Sequence, residues 1–133
     1  MGEKMSNMTR LKVEIKDVNQ RVLREALIML AKHYGLELSE NSWILNYYRE
    51  KFKRCQFVLR GRTLPLGMGF DVIGNSLEIT GDRDPMVQPL FQEIERQIKQ
   101  YYVAAQHLLA LKAMGYASKV EKQGQKLVIM AVR

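Results

Sequence analysis

Gly67-Met-Gly-Phe-Asp-Val-Ile73 and Ser76-Leu-Glu-Ile-Thr80 are two short runs joined by Gly74-Asn75. A Gly-Asn link tolerates the positive φ that a tight reversal requires, so the two runs read as a β-hairpin. Antiparallel pairing follows, and with it the class of fold. Pro65, just upstream, has no N–H to give a ladder and belongs at an edge or turn. Gly81-Asp-Arg-Asp-Pro85, just downstream, reads as a turn and helix entry.

Beyond that turn, Val87, Leu90, Phe91, Ile94, Ile98, Tyr101, Tyr102, Ala105, Leu108 and Leu109 recur at helical spacing. The spacing predicts a long helix from about Pro85 to Met114, closed by Gly115; Pro89 is tolerated only near its start. Lys119–Gln123 and Lys126–Val132 then predict a terminal hairpin across Gly124. Upstream, Thr9–Asp17 alternates, with Leu11, Val13 and Ile15 on one face, as a half-buried strand does. Asn19 can cap the helix that follows, whose apolar face is Val22, Leu23, Ala26, Leu27, Leu30 and Tyr34, and Gly35 stops it. From Leu36 to Leu64 the pattern is weaker. Glu37–Asn41 reads as a strand end or loop, Trp43–Tyr48 as strand-like, and Cys55–Leu59 as a further strand.

The order is β–α–(β)–β–β–β–α–β–β. It predicts an α+β two-layer sandwich: one antiparallel-rich sheet with two helices on one face, loosely ferredoxin-like with extra strands. Helices on one side leave the other sheet face open to solvent or a partner. Residues 1–8 read as a flexible leader and 9–133 as a single α+β domain.

Three stretches carry a resemblance: Gly69-Phe-Asp-Val-Ile-Gly-Asn-Ser-Leu-Glu-Ile-Thr-Gly-Asp82, Gln97-Ile-Lys-Gln-Tyr-Tyr102, and the ending from Gly115-Tyr116 to Lys126-Leu-Val-Ile-Met-Ala-Val-Arg133. Over about half the chain they resemble a family of small proteins of cyanobacteria, algal plastids and other prokaryotes. This chain departs from it by lacking a tryptophan just after the acidic turn. The resemblance implies the α+β fold and no activity, since the family has no function assigned.

At 133 residues and 47% hydrophobic composition the chain is long enough and apolar enough for one independent core. Cys55 is the only cysteine, which excludes an internal disulfide and a cysteine zinc site. No apolar run reaches the length of a membrane span, and Met1–Thr9 lacks the apolar centre of a signal peptide. The cytoplasm is the expected compartment, with no membrane partner.

The net charge is +7, and residues 49–62 carry six basic side chains against the single acid Glu50. Such a field recruits acidic partners. Tyr47, Tyr48, Phe52 and Phe57 interleave with Arg49, Lys51, Lys53, Arg54, Arg60 and Arg62, the combination that binds single-stranded nucleic acid or RNA through phosphates and stacked bases. The rings do not share one parity with the charges, however. The plainer reading is an edge strand kept soluble by Lys and Arg, with its aromatics turned inward.

Nothing nominates catalysis. Gly67-Met-Gly-Phe-Asp lacks both phosphate-loop spacings and opens a strand. Asp82 and Asp84 fit the N-terminus of the long helix better than a metal, and His33 and His107 have no ligand at helical spacing. We therefore expect no enzyme, no metal and no cofactor. The apolar face of the long helix is wider than one small sheet needs, which places Tyr101, Tyr102, Leu108 and Leu111 at a protein interface. The expectation is a non-enzymatic interaction module, acting as a homo-oligomer or as a subunit of a complex. Nucleic-acid binding through Tyr47, Tyr48 and the basic segment is the alternative.

Overall fold

A computed structural model describes residues 8–15 and 17–132. The Gly74-Asn75 link turns the chain as expected, with Ile73 opposite Ser76 and Gly74 at φ 60°. In chain order the elements are β1 (Met8–Glu14), α1 (Gln20–Tyr34), β2 (Glu37–Leu45), β3 (Lys51–Gly61), β4 (Leu64–Ile73), β5 (Ser76–Asp82), α2 (Gln88–Ala113), β6 (Ala117–Gln123) and β7 (Lys126–Val132). The fold is α+β, with helices packed on a five-stranded antiparallel sheet of order β1-β5-β4-β3-β2. Strands β2 to β5 form a meander, and β1 lies beside β5. Met8, assigned to the leader, begins β1 opposite Asp82; residues 1–7 lie outside the described residues.

Both helices begin where local chemistry dictates. Asn19 Oδ1 accepts from the Val22 N–H at 2.9 Å, and Gly35 ends α1 at φ 65°. Pro89 falls in the first turn of α2, where its missing N–H costs nothing. Leu23, Leu27 and Leu30 of α1 meet Phe91, Ile94 and Ile98 of α2 over Phe57, Leu59, Met68, Phe70, Leu77 and Ile79 of the sheet, in one buried cluster. Gly81 leaves the room that the Phe91 ring occupies, since a Cβ there would run into the ring.

The other face of the sheet is not open. Cys55 and Phe57, two residues apart, would share a side of a regular strand. Instead Phe57 joins the helix-side core, while Cys55 packs with Ile44 and Val58 in a second cluster. Asn41, at φ 50°, and Gln56 mark the bend on β2 and β3. The Gln56 side chain donates to the Val72 carbonyl at 3.4 Å and accepts the Val72 N–H at 2.9 Å, in place of backbone pairing. The β2–β3 hairpin thereby curls across β4, where Gly69 admits Cys55 and Ile44. The covered face buries Asp71, Glu78, Thr80 and Asp82.

The β6–β7 hairpin forms its own two-stranded sheet and packs on α2 instead of extending the main one. Val120, Leu127 and Ile129 face the core there. Lys122 Nζ donates to the Tyr34 hydroxyl at 2.9 Å, and the Gln97 amide donates to Gln125 Oε1 at 3.1 Å.

Two of the expected interface residues are corrected here. Tyr101 and Tyr102 are 0% and 1% exposed, inside the chain's own core. Tyr102 Oη accepts from the Asn19 N–H at 2.9 Å, and the Tyr101 hydroxyl lies 2.8 Å from His33 Nδ1. The apolar width of α2 is thus taken up by α1 and the β6–β7 hairpin as well as by the sheet. Leu108 and Leu111 are half-buried, and Leu108 packs on the core.

Candidate nucleic-acid interface at the hairpin tip

The turn between β2 and β3 is built around Asn46. Its Oδ1 accepts from the N–H groups of Tyr48 (2.9 Å) and Glu50 (3.0 Å), and its Nδ2 donates to Glu50 Oε1 at 3.1 Å. Its backbone accepts from Arg49 N–H and donates to the Glu50 carbonyl. Arg49 sits at φ 62°, a conformation that favours glycine and costs an ordinary residue roughly 1–2 kcal/mol. A short side-chain network therefore holds an arginine, strained, at the outermost point of the hairpin.

Around that point the surface is aromatic. Trp43, Tyr47, Tyr48 and Phe52 are all exposed, and they are the only large exposed aromatics among the described residues. Tyr47 and Tyr48 meet edge to face at 5.4 Å. Lys51 Nζ lies 5.4 Å from the centroid of the Trp43 ring, within cation–π range. Arg54, opposite Trp43 in the β2–β3 register, donates to the Asn41 carbonyl and is exposed. Trp43, Lys51, Phe52 and Arg54 thus face outward, while Ile44 and Lys53 face inward.

The structure divides the six cations of the basic segment. Arg49, Lys51 and Arg54 stand at the tip with the rings. Lys53 turns beneath it, 2.7 Å from Asp71 Oδ2 and 3.1 Å from Glu78 Oε1. Burial works to lower the Lys53 pKa, but the hydrogen bonds to Asp71 and Glu78 outweigh it and hold the value above the ordinary lysine range. Asp71 Oδ1 also accepts from the Gln56 N–H at 2.9 Å, at the bend. Arg60 reaches back to donate to the Trp43 carbonyl. Lys53 and Arg60 are therefore clamps for the curl. Arg62 is exposed at the far end of β3, away from the tip.

The inward-turned aromatics of the edge-strand reading do not occur at the tip: Phe57 is buried, but Tyr47, Tyr48 and Phe52 are not. Trp43 was missed as a site residue because its run reads as an ordinary strand. Its pairing with Arg54 could have been found only through the β2–β3 register.

The described residues hold no group of three or more His, Cys, Asp or Glu placed for a metal. Burial, with Asp71 nearby, pushes the Cys55 thiol up to about 12, so it is not a nucleophile. Asp84 Oδ1 accepts from the Met86 N–H beside α2, while Asp82 is buried in β5. No described helix is long and apolar enough to cross a membrane. Compared with protein-family models, curated proteins and solved structures, the chain finds no match.

Proposed function

We propose that this chain is a non-enzymatic, cytoplasmic binding protein that takes single-stranded nucleic acid on the tip of the β2–β3 hairpin. The observation that carries the reading is the gathering of the exposed aromatics, Trp43, Tyr47, Tyr48 and Phe52, with Arg49, Lys51 and Arg54. Ring faces stack on bases only when the bases are unstacked from a duplex, and the cations match the phosphates between them. The Asn46 network and the Lys53 and Arg60 clamps support the same reading, because a held tip loses little freedom on binding. Protein contact is favoured by a different region, the outer strand β7, uncharged from Leu127 to Val132.

Anisotropy of a labelled single-stranded 12-mer, in DNA and RNA forms, tests the reading. Three phosphate contacts give a log affinity that falls with log salt at a slope of about −2. Reversing Arg49, Lys51 and Arg54 to Glu is expected to cost on the order of 100-fold in affinity at moderate salt while far-UV circular dichroism is unchanged. Equal affinity for a duplex would contradict stacking. Unchanged affinity after the reversal would remove the tip as the site.

A further inference from the structure

The sheet face away from the helices carries cross-strand rows that lead from the β2–β3 hairpin to β1. In the first, Asp71 of β4 stands opposite Glu78 of β5, and Glu78 opposite Lys12 of β1. In the second, Gly69 stands opposite Thr80, and Thr80 opposite Arg10. In the third, Asp82 stands opposite Met8.

The hairpin lies over these rows from the β4 side. Lys53 Nζ bonds both acids of the first row, and Cys55 and Ile44 fill the space above Gly69 in the second. Met8 packs on the cluster of Ile44, Cys55 and Val58, so this face of β1 borders the hairpin. Alternate residues of a strand share a face, which puts Arg10 and Lys12 beside Met8. Both are exposed, and neither makes a hydrogen bond or ion pair among the described residues. Gln56 bonds Val72 of β4, whereas Lys53, nearer the tip, reaches Glu78 of β5. The hairpin thus advances one strand toward β1 as it approaches its turn. Lys12 lies one strand spacing further on, about 4.8 Å.

We propose that Arg10 and Lys12 extend the nucleic-acid site from the hairpin tip as a phosphate track along β1. The track rests on the tip reading and divides the labour of that site. Rings at the tip stack on bases, while β1 has no aromatic residue and holds phosphates without regard to base. The acids along the path do not interrupt it. Asp71 and Glu78 are each 7% exposed and share Lys53, and Thr80, opposite Arg10, is uncharged. The exposed acid Glu14, next on the same face, accepts from Ser76 Oγ at 3.3 Å and marks the end of the track.

Charge on an edge strand also keeps other strands away, so the test must leave that charge in place. Arg10→Glu/Lys12→Glu does so while reversing its sign. Two phosphate contacts add about −1.4 to the salt slope that the three tip contacts set; the variant is expected to lose that increment and on the order of 10-fold in 12-mer affinity. Arg21→Glu/Lys32→Glu, on the exposed side of α1, makes the same change of net charge and is expected to leave both quantities as they were. An equal loss in this control would reduce the effect to net charge and overturn the track. Should the β1 variant fail to fold, acylation of lysines in the unaltered protein decides. Protection of Lys12 by the 12-mer, with Lys126 still labelled, supports the track; a Lys12 rate unchanged by the 12-mer overturns it. The two readings fail separately. Affinity lost on reversing Arg49, Lys51 and Arg54 but kept on reversing Arg10 and Lys12 overturns the track and leaves the tip. Affinity that survives reversal of the tip removes both.

Discussion

The β2–β3 and β6–β7 hairpins both leave the plane of a simple five-stranded sandwich, and they show opposite chemistry. The first exposes rings and cations at its turn and buries its inner face through Lys53, Asp71, Glu78 and Arg60. The second exposes a strand that is uncharged from Leu127 to Val132 and lies on α2 through Val120, Leu127 and Ile129. A charged, aromatic tip selects a polyanion with free base faces, and its affinity must fall with salt. An apolar edge selects a strand, through backbone pairing that salt barely touches. Ionic strength should therefore separate two contacts carried on one small chain.

The sharpest way to break the comparison is to loosen one hairpin alone. Asp71→Ala removes one partner of Lys53 and the acceptor of the Gln56 N–H. A fully buried charge left alone costs roughly 3–5 kcal/mol; Lys53 keeps Glu78 and is one-quarter exposed, so about 2 kcal/mol of stability is expected to go. Urea melts should show that loss. Oligonucleotide affinity should fall with it, while the mass of the folded protein stays as it was. A change in that mass as well would mean that the two hairpins are coupled.

A smaller effect is expected from the rings. Tyr48→Ala and Phe52→Ala should each weaken single-strand binding by about 1–3 kcal/mol, with the urea midpoint almost unmoved because both side chains already face solvent. Stability that falls while affinity holds would return these rings to a packing role. Arg49→Gly divides the same two quantities in opposite directions. It relieves the left-handed strain at the tip, for a gain of up to about 1 kcal/mol in stability, and removes a cation, for a several-fold loss in affinity.

The smallest effect expected is on pH dependence. Burial, with Lys122 and Lys32 nearby, holds His33 below its ordinary value of 6.5. Its Nδ1 lies 2.8 Å from the Tyr101 hydroxyl, whose pKa burial pushes up to about 12. Below 6.5 the unfolded chain binds that proton more readily than the folded one. Stability should therefore decline as pH falls from 7 through 6.5 to the lowered folded value, then level off. His33→Asn should flatten melting temperature across that window, with tip binding unaffected at fixed pH.

What the sequence made legible was local. Gly74-Asn75, the Asn19 cap, the Gly35 stop and Pro89 in the first turn of α2 each impose one backbone geometry on their neighbours, and each is where the pattern placed it. The curl of β2–β3 was not legible, because its cause is side chains standing in for backbone: Gln56 on Val72, and Asp71 on the Gln56 N–H. Alternation assumes one parity along a strand, and the bend at Asn41 and Gln56 inverts it, so Cys55 and Phe57, two residues apart, enter different clusters. The burial of Tyr101 and Tyr102 was hidden for a related reason. A helix stripe gives the width of an apolar face but not how many layers will cover it, and here the β6–β7 hairpin is an additional one.

Trp43 is the only tryptophan and stands at the tip, 37% exposed, so the chain carries its own reporter. Titration with a single-stranded oligonucleotide, exciting that ring selectively, tests the central claim most directly. Stacking is expected to quench its emission saturably, with the midpoint moving to higher concentration as salt rises and with little response to a duplex of the same sequence. Emission that stays constant while an anisotropy signal reports binding would place the nucleic acid elsewhere on the molecule. Constant emission with no binding at low salt would contradict the account outright.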